Sequence, residues 1–421
     1  MDKLAIRGGK ALEGSIQISG SKNASLPIAV AAGILGASES RIHNVPNLQD
    51  IHTLMGVLRH LGVEIEYADG TLHVGASPRL SVEAPYDLVR RMRASVYVLG
   101  PLLARFGRAR VSFPGGCAIG ARPVDLHLRG MEALGASIRI EHGYILAEAD
   151  RLRGARFNLE GPRGASVGAT ANTLMAAVLA EGHTEIECAA MEPEIADLAD
   201  FLTQMGAKID GAGTPVISVE GVSKLRGTEY KAPPDRIEAA SYLAAGAITR
   251  GNVRILGAER KHMGAVLGKL TEADIWIDWT GNDAQVTVPN GIRSVDVETA
   301  TYPGFPTDAQ AQYMALMCLA EGRCEIAENI FTERFMHALE LQRMGAQIAV
   351  TGSRAVVTGV ESLTGAPVMA SDLRAGMALV LAGLAAKGET VVSRVYHIDR
   401  GYERIEEKLA AVGADIRRIR E

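Results

Sequence analysis

Cys117 is the residue of this chain whose neighbours best suit it to chemistry. The segment 113–122 reads Phe-Pro-Gly-Gly-Cys-Ala-Ile-Gly-Ala-Arg, and such a glycine-rich loop can close over a ligand and open again. Arg122 follows the thiol five residues later. A guanidinium group can lower the pKa of a thiol and can also bind phosphate or carboxylate. The segment therefore predicts a reactive thiol in an anion-binding loop, with an incidental surface cysteine as the alternative.

An internal repeat supplies the elements that must position this loop. Six times, an apolar helical stretch ends in a glycine that leads into a β-branched strand, at intervals of about 70 residues. These glycines are Gly36, Gly107, Gly182, Gly251, Gly322 and Gly388. Glycines just past helices commonly adopt the left-handed conformation, which we expect here. Units of this kind share cores, and six of them fit one ring or two groups of three.

A second helix is predicted in each repeat. It ends in a Leu-Gly, Met-Gly or Val-Gly pair at Leu61-Gly62, Leu134-Gly135, Met205-Gly206, Met344-Gly345 and Val412-Gly413. The fourth copy has Glu272-Ala273 there and lacks the glycine, so we interpret it as degenerate. Two helices and several strands in each unit predict the α/β class, and the length of 421 residues favours two domains.

The starts of the first helices predict an anion site. Fourteen residues before the six repeat glycines stand Lys22, Arg93, Gly168, Ile237, Asp308 and Arg374. The Ser, Asp and Pro residues around them are typical of helix N-termini, whose free N–H groups and dipoles attract anions. Together with Arg122, the cations Lys22, Arg93 and Arg374 indicate a ligand with several negative charges. Simple helix capping by Asp308 and Asp372 is the alternative.

Composition narrows the function classes. The net charge of −5 argues against nucleic acid as the main partner. The four cysteines lack metal-ligand spacing. Residues 1–10 are polar, and the longest apolar stretches are too short to span a bilayer. We therefore expect the protein to lie in the cytoplasm, which keeps thiols reduced.

A series of motifs runs along the whole chain. The segments are Ser-Gly-Ser-Lys-Asn-Ala-Ser at 19–25, Met-Arg-Ala-Ser at 92–95, Pro-Gly-Gly-Cys-Ala-Ile-Gly-Ala-Arg-Pro-Val-Asp-Leu-His at 114–127, Ser-Val-Gly-Ala-Thr at 166–170, Phe-Pro-Thr-Asp-Ala-Gln-Ala-Gln at 305–312, Arg-Phe-Met-His at 334–337 and Tyr-His-Ile-Asp-Arg-Gly-Tyr-Glu-Arg at 396–404. In this order they resemble the UDP-N-acetylglucosamine enolpyruvyl transferases, the 1-carboxyvinyltransferase family within the EPSP synthase superfamily.

The resemblance implies a two-domain inside-out α/β barrel of six repeats, three in each domain. One domain is 22–233 and carries the Cys117 loop. The other combines 1–21 with 234–421, and the active site lies in the cleft between them. The implied reaction moves the enolpyruvyl group of phosphoenolpyruvate to the 3′-hydroxyl of UDP-N-acetylglucosamine and releases phosphate, as the first committed step of peptidoglycan synthesis. These two small molecules are the implied partners, with no cofactor and no metal.

The same resemblance assigns candidate residues. Cys117 is the acid that protonates phosphoenolpyruvate, Asp308 is the base for the sugar hydroxyl, and Lys22 and Arg400 complete the catalytic set. The implied phosphoenolpyruvate-binding residues are Lys22, Asn23, Arg122, Arg334, Arg374 and Arg400. The implied UDP-N-acetylglucosamine-binding residues are Asn23, Arg93, Arg122, Pro123, Val124, Asp125, Leu126, Ser166, Val167, Gly168, Asp308 and Ile330.

Some assignments have alternatives. Structural and functional roles are equally consistent with the pattern for His127, Glu192, Asp235 and His397. Some family members carry a lysine just before the segment 166–168, where this chain has Arg163 nearby. For the whole chain, the alternatives are the sister enzyme that acts on shikimate 3-phosphate, which lacks the Cys loop, and a catalytically silent repeat scaffold or ligand sensor.

Overall fold

The computed structural model describes residues 2–77, 79–90, 92–113 and 124–420, so Cys117, Arg122 and Pro123 lie outside the described residues. Its α-helices are α1 Lys22–Leu35, α2 Gln49–Leu61, α3 Tyr86–Val89, α4 Leu99–Phe106, α5 Asp125–Ala133, α6 Val167–Ala177, α7 Pro193–Met205, α8 Arg236–Ile248, α9 Gly264–Glu272, α10 Thr307–Met317, α11 Met336–Arg343, α12 Leu373–Ala385 and α13 Ile405–Ala411. Shorter 3-10 helices span Arg93–Val98, Arg260–His262 and Val395–Arg400.

The strands alternate with these helices along the chain. They are β1 Lys3–Arg7, β2 Glu13–Gln17, β3 Ser40–His43, β4 Ile65–Ala68, β5 Thr71–Val74, β6 Glu83–Ala84, β7 Arg108–Ser112, β8 Ser137–Glu141, β9 Tyr144–Glu148, β10 Arg156–Asn158, β11 His183–Glu187, β12 Lys208–Asp210, β13 Val216–Glu220, β14 Glu229–Lys231, β15 Asn252–Leu256, β16 Trp276–Thr280, β17 Asp283–Thr287, β18 Val297–Glu298, β19 Arg323–Ala327, β20 Gln347–Thr351, β21 Arg354–Thr358, β22 Pro367–Met369, β23 Glu389–Ser393 and β24 Asp415–Ile419.

The described chain divides into two compact units. One, here called the N-terminal unit, consists of described residues between 20 and 233. The other, the C-terminal unit, combines 2–19 with 234–420. Each unit has its own hydrophobic core.

Helices occupy the interior of each unit. In the N-terminal unit, α1, α4 and α6 pack on one another, and α8, α10 and α12 do the same in the C-terminal unit. These helices are apolar on all sides: nearly every residue of α1 and α8 is buried, as expected for a helix without a solvent face. Each inner helix packs against strands of a sheet. Helices inside and sheets outside confirm the predicted inside-out α/β fold.

The described residues form six four-stranded sheets with one recurring pattern. In the sheet β10-β11-β13-β12, the first pair is parallel and the following pairs are antiparallel. Strands distant in sequence complete some sheets. β14 pairs with β3, and β2 pairs with β15. β1 lies between β23 and β24, so the two ends of the chain share the last sheet.

The glycine prediction is correct at some positions and wrong at others. Gly107, Gly182, Gly322 and Gly388 have positive φ angles. Gly36 has φ −68°, and the left-handed residue near Gly251 is Arg250 instead. A Cβ on Gly251 would lie 2.2 Å from the Leu12 carbonyl oxygen, so close backbone packing requires this glycine.

The fourth repeat has the same turn after its second helix although its sequence has no glycine there. α9 is followed by Asp274 with φ 62°. In the other copies the corresponding left-handed residue is a glycine, as at Gly135 and Gly345. Asp tolerates this conformation better than most residues. The repeat is therefore degenerate in sequence but not in backbone geometry.

The predicted helix starts agree closely with the structure. Lys22 is the first residue of α1, and Gly168, Ile237, Asp308 and Arg374 are the second residues of α6, α8, α10 and α12. Arg93 instead begins the 3-10 helix that leads into α4. Within the described ranges, no helix has the length and apolar character needed to cross a membrane.

Candidate functional site

Lys22 is held at the start of α1 by a buried ion pair. Ser21 caps the helix, since its hydroxyl accepts a hydrogen bond from the Ala24 amide. The Lys22 Nζ lies 3.2 Å from Asp50 Oδ2, and the two side chains are 11% and 5% exposed. Such a partner offsets part of the cost of burying a charge. The half-buried Asn23 follows, so a cation and an amide adjoin at this helix start.

His127 connects α5 with the start of α6 in the N-terminal unit. Burial, assisted by the charge of Arg93, lowers the pKa of His127 to about 3, so the imidazole is neutral at physiological pH. The Asn172 side-chain oxygen accepts from the Gly100 amide, which directs its Nδ2 donor to His127 Nδ1 at 3.1 Å. The ring hydrogen therefore resides on Nε2. A Cβ on Gly168 would lie 3.0 Å from that nitrogen, so the glycine allows the ring to pack against α6.

Two helix starts carry the remaining candidates of this unit. Ser166 caps α6 by accepting from the Ala169 amide at 3.3 Å, and Val167 begins the helix. Val124 is the residue before α5, and the exposed Asp125 begins it. The buried Leu126 packs against the turn 161–164, which contains the exposed Arg163.

Asp308 forms ion pairs with two buried arginines in the C-terminal unit. Its Oδ1 lies 2.8 Å from Arg334 Nη1, and its Oδ2 lies 3.1 Å from Arg374 Nη2. The arginine side chains are 5% and 2% exposed, whereas that of Asp308 is 30% exposed. The N-cap residue of α10 is Pro306, which makes no side-chain capping hydrogen bond, and Asp308 is the second residue inside the helix. The capping alternative is thus wrong for Asp308 but correct for Asp372, which caps α12.

A buried carboxylate fixes the loop beside α10. Glu328 accepts hydrogen bonds from the Thr307 hydroxyl at 2.9 Å and from the Ile330 amide at 3.0 Å. Arg334 Nη1 also donates to the Thr307 hydroxyl at 3.0 Å. Glu328 therefore holds the candidate Ile330 close to the residues that surround Asp308.

Two further arginines differ in burial. Burial opposes the charge of Arg374, but Tyr402 and Asp308 more than compensate and raise its pKa. Arg400 is half-buried at the end of the 3-10 helix Val395–Arg400. Burial and then Arg400 lower the pKa of His397. Arg374 is therefore a fixed internal cation, while Arg400 retains access to solvent.

Each unit thus carries its own polar group of residues. The N-terminal unit contributes a lysine, an amide and helix N-termini suited to anions. The C-terminal unit contains a carboxylate paired with guanidinium groups, and guanidinium groups can bind carboxylate or phosphate bidentately. Over the described part of the chain, no group of three His, Cys, Asp or Glu side chains is arranged to hold a metal ion.

The sequence interpretation missed four residues that hold the candidates in place. They are Asp50, Asn172, Glu328 and Tyr402. Tyr402 lies inside the segment 396–404, and Asn172 lies just after 166–170, so proximity to a motif was the available signal. Asp50 and Glu328 carried no comparable signal.

Comparisons with known proteins agree on one family. The family model described as EPSP synthase (3-phosphoshikimate 1-carboxyvinyltransferase) matches residues 6–409. Proteins named UDP-N-acetylglucosamine 1-carboxyvinyltransferase from Trichlorobacter lovleyi and Solidesulfovibrio magneticus are 55% and 56% identical, with 100% of each chain covered.

Solved structures share the fold. The enolpyruvyl transferase NikO from Streptomyces tendae superposes with a TM-score of 0.90 at 27% identity, covering 99% of this chain and 98% of that one. An EPSP synthase from Acinetobacter baumannii has a TM-score of 0.77 at 19% identity, with both chains fully covered. The second likeness supports the fold alone.

Proposed function

Because the chain belongs to the enolpyruvyl transferase family that includes the UDP-N-acetylglucosamine 1-carboxyvinyltransferases, we propose that it transfers the enolpyruvyl group of phosphoenolpyruvate to the 3′-hydroxyl of UDP-N-acetylglucosamine and releases phosphate. This reaction is the first committed step of peptidoglycan synthesis. The proposed partners are these two small molecules, and the proposed compartment is the cytoplasm.

Full-length similarity carries the proposal. Relatives with the UDP-N-acetylglucosamine name are 52–56% identical over essentially the whole chain, whereas the EPSP synthase structure is 19% identical. The Cys117 segment favours the same substrate, since the shikimate-type sister enzymes lack this loop. A catalytically silent scaffold would not require a carboxylate, that of Asp308, between the two buried guanidinium groups of Arg334 and Arg374.

The proposed chemistry is addition followed by elimination. As the sugar oxygen forms a bond to C2 of phosphoenolpyruvate, its hydroxyl proton passes to Asp308, and C3 receives a proton from Cys117. The Cys117 thiolate left by the first step then takes a proton from C3, which restores the double bond while the bond between C2 and the phosphate oxygen breaks and phosphate leaves with its electron pair. A thiol suits the role of the acid that protonates C3, and it can also form a covalent adduct with phosphoenolpyruvate. The Asp308 side chain is partly exposed, and a carboxylate oxygen can accept a proton.

The two anionic groups of phosphoenolpyruvate, a carboxylate and a phosphate, require cations. We assign this binding to Lys22, Arg122, Arg334, Arg374 and Arg400, with the Asn23 amide beside the reacting atoms. Guanidinium groups suit both carboxylate and phosphate. Because Asp308 forms ion pairs with Arg334 and Arg374, these arginines also orient the proposed base.

UDP-N-acetylglucosamine is assigned to helix starts and adjoining loops. Amides at the start of α6 (Ser166, Val167 and Gly168) suit the diphosphate because helix N-termini attract anions. The remaining assignments are Arg93, Arg122, Pro123, Val124, Asp125 and Leu126 for the uridine end, and Ile330, Asn23 and Asp308 for the sugar.

Phosphate release from phosphoenolpyruvate tests the function. We expect release with UDP-N-acetylglucosamine and none with shikimate 3-phosphate. Release with shikimate 3-phosphate alone would favour the sister activity, and absence of release with both acceptors would favour the silent scaffold.

A further inference from the structure

Tyr402 stands at the centre of a buried polar network in the C-terminal unit. It is 1% exposed, and its hydroxyl contacts three side chains from three inner helices. They are Ser241 of α8 at 2.7 Å, Gln312 of α10 at 3.0 Å and Arg374 of α12 at 3.1 Å.

The direction of each hydrogen bond follows from the available hydrogens. Arg374 Nη1 and Gln312 Nε2 are donors, so the Tyr402 oxygen accepts from both. The Ser241 hydroxyl donates its single hydrogen to the Ile237 carbonyl at 2.7 Å. Ser241 must therefore accept the hydrogen of Tyr402. The phenol is thus fixed by two incoming bonds and one outgoing bond.

Arg374 depends on this phenol for its orientation. Its guanidinium makes hydrogen bonds to Tyr402 through Nη1 and to Asp308 through Nη2. Its Nε has no hydrogen-bond partner among the described residues. The guanidinium carbon also lies 5.5 Å from the centre of the Tyr402 ring, where cation–π attraction operates. With Nη1 fixed, Nη2 points at the carboxylate of Asp308.

We propose that Tyr402 is a positioning residue for the transfer reaction, which orients Arg374 and through it the carboxylate of Asp308. The proposal rests on the proposed function, in which Asp308 accepts the sugar proton. Burial raises the pKa of Tyr402 although Arg374 opposes this effect, so the phenol remains protonated and neutral. Its role is therefore to fix geometry and not to exchange a proton with substrate.

Tyr402→Phe keeps the ring and removes only the hydroxyl. We expect kcat for phosphate release to fall about 10- to 100-fold, the scale for a misplaced catalytic group, while KM for UDP-N-acetylglucosamine stays close to wild type. The matched control is Tyr313→Phe, since Tyr313 is also buried in this unit and donates only to the Val295 carbonyl at 2.8 Å. It should keep wild-type kcat. Wild-type kcat in folded Tyr402→Phe overturns the proposal.

A double-mutant cycle separates positioning from a merely structural role. In the Asp308→Asn background, Tyr402→Phe should change kcat at saturating phosphoenolpyruvate by less than about twofold, because coupled residues lose their effect once the partner is gone; since Arg374 is also assigned to phosphoenolpyruvate, KM for phosphoenolpyruvate rises in both backgrounds. A full additional loss overturns the proposal. If Tyr402→Phe does not fold, Ser241→Ala removes the acceptor of the phenol hydrogen and should lower kcat by a smaller factor. An unchanged kcat in Ser241→Ala then overturns the proposal.

Different results would overturn the base role of Asp308 and the positioning role of Tyr402. Wild-type turnover of Asp308→Asn removes the base assignment and with it the residue that Tyr402 positions. An impaired Asp308→Asn beside a normal Tyr402→Phe removes the positioning role alone and leaves the proposed function intact.

Discussion

Asp308 combines a charge that pairs with two arginines and a proposed proton-accepting role, and one substitution removes both. Asp308→Asn keeps the shape and an acceptor oxygen but removes the negative charge and the proposed base. We expect turnover to fall about 10²–10⁴-fold, the usual contribution of a general base, with UDP-N-acetylglucosamine binding retained. Steady-state kinetics and a binding titration measure these effects.

The same substitution carries a stability cost that the contacts predict. Arg334 and Arg374 lose a charged partner, and we expect about 1–3 kcal/mol of destabilisation because Asp308 is partly exposed. Asp283→Asn is the matched control, since Asp283 pairs with Arg254 at 2.9 Å and accepts from the Gly257 amide. It should lose stability without losing turnover. Near wild-type turnover in Asp308→Asn would place the base elsewhere.

Cys117 should be the thiol that reacts with the epoxide fosfomycin, and we expect a faster reaction with UDP-N-acetylglucosamine present, because the glycine-rich sequence around Cys117 predicts a loop that can close over a ligand. Burial raises the pKa values of Cys318 and Cys324 to about 12, so neither supplies thiolate at neutral pH. Mass spectrometry of the labelled protein identifies the site, with Cys188→Ser as the control. Cys117→Asp should keep some activity, since a carboxylic acid can donate a proton, and should escape labelling. A label on another cysteine would contradict the assignment.

At the scale of elements, the turn after the second helix of each repeat fixes where the next strand begins. Five copies use glycine with positive φ, and the fourth uses Asp274. A Cβ on Gly413 meets no atom within 4 Å, so Gly413→Asp tests backbone conformation alone. We expect it to cost about 1 kcal/mol, the strain of a left-handed non-glycine residue.

The reciprocal change, Asp274→Gly, should not destabilise the protein. It relieves strain but adds entropy to the unfolded chain, and these effects of about 0.5–1 kcal/mol oppose each other. The ion pair of Asp274 with Arg293 is mostly exposed and contributes little. Urea denaturation measures the free energy of unfolding of Gly413→Asp and Asp274→Gly. A destabilised Asp274→Gly together with an unaffected Gly413→Asp would contradict this account.

At the scale of the whole molecule, the N-terminal strand completes a sheet built from the C-terminal end. Leu4 of β1 is fully buried, and its strand pairs on both sides. Leu4→Ala should therefore cost about 2–5 kcal/mol, the range for a truncated core leucine. Hydrogen exchange should show the loss of protection within the C-terminal unit. The control is Leu339→Ala, at a residue 67% exposed, which should change the free energy of unfolding by less than about 0.5 kcal/mol. An equal effect of the two variants would mean that β1 is not part of the core.

The sequence by itself determined the local features of this protein. Helix starts at Lys22, Asp308 and Arg374 could be predicted because capping and proline preferences act over a few residues. The repeat interval, the α/β class and the family could be predicted for a similar reason, since each depends on short segments recurring in order. The ligand roles of the candidate residues remain predictions.

Only the tertiary structure decided which side chains meet. Arg374 and Asp308 are 66 residues apart in the chain, and Gln312 and Tyr402 are 90 apart, so their contacts depend on how the inner helices of different repeats pack. Within one repeat, the packing of α1 on α2 pairs Lys22 with Asp50, and strand pairing places β1 between β23 and β24. Local pattern encodes the elements, whereas partners between repeats are set by the burial of helices that no single repeat can achieve alone.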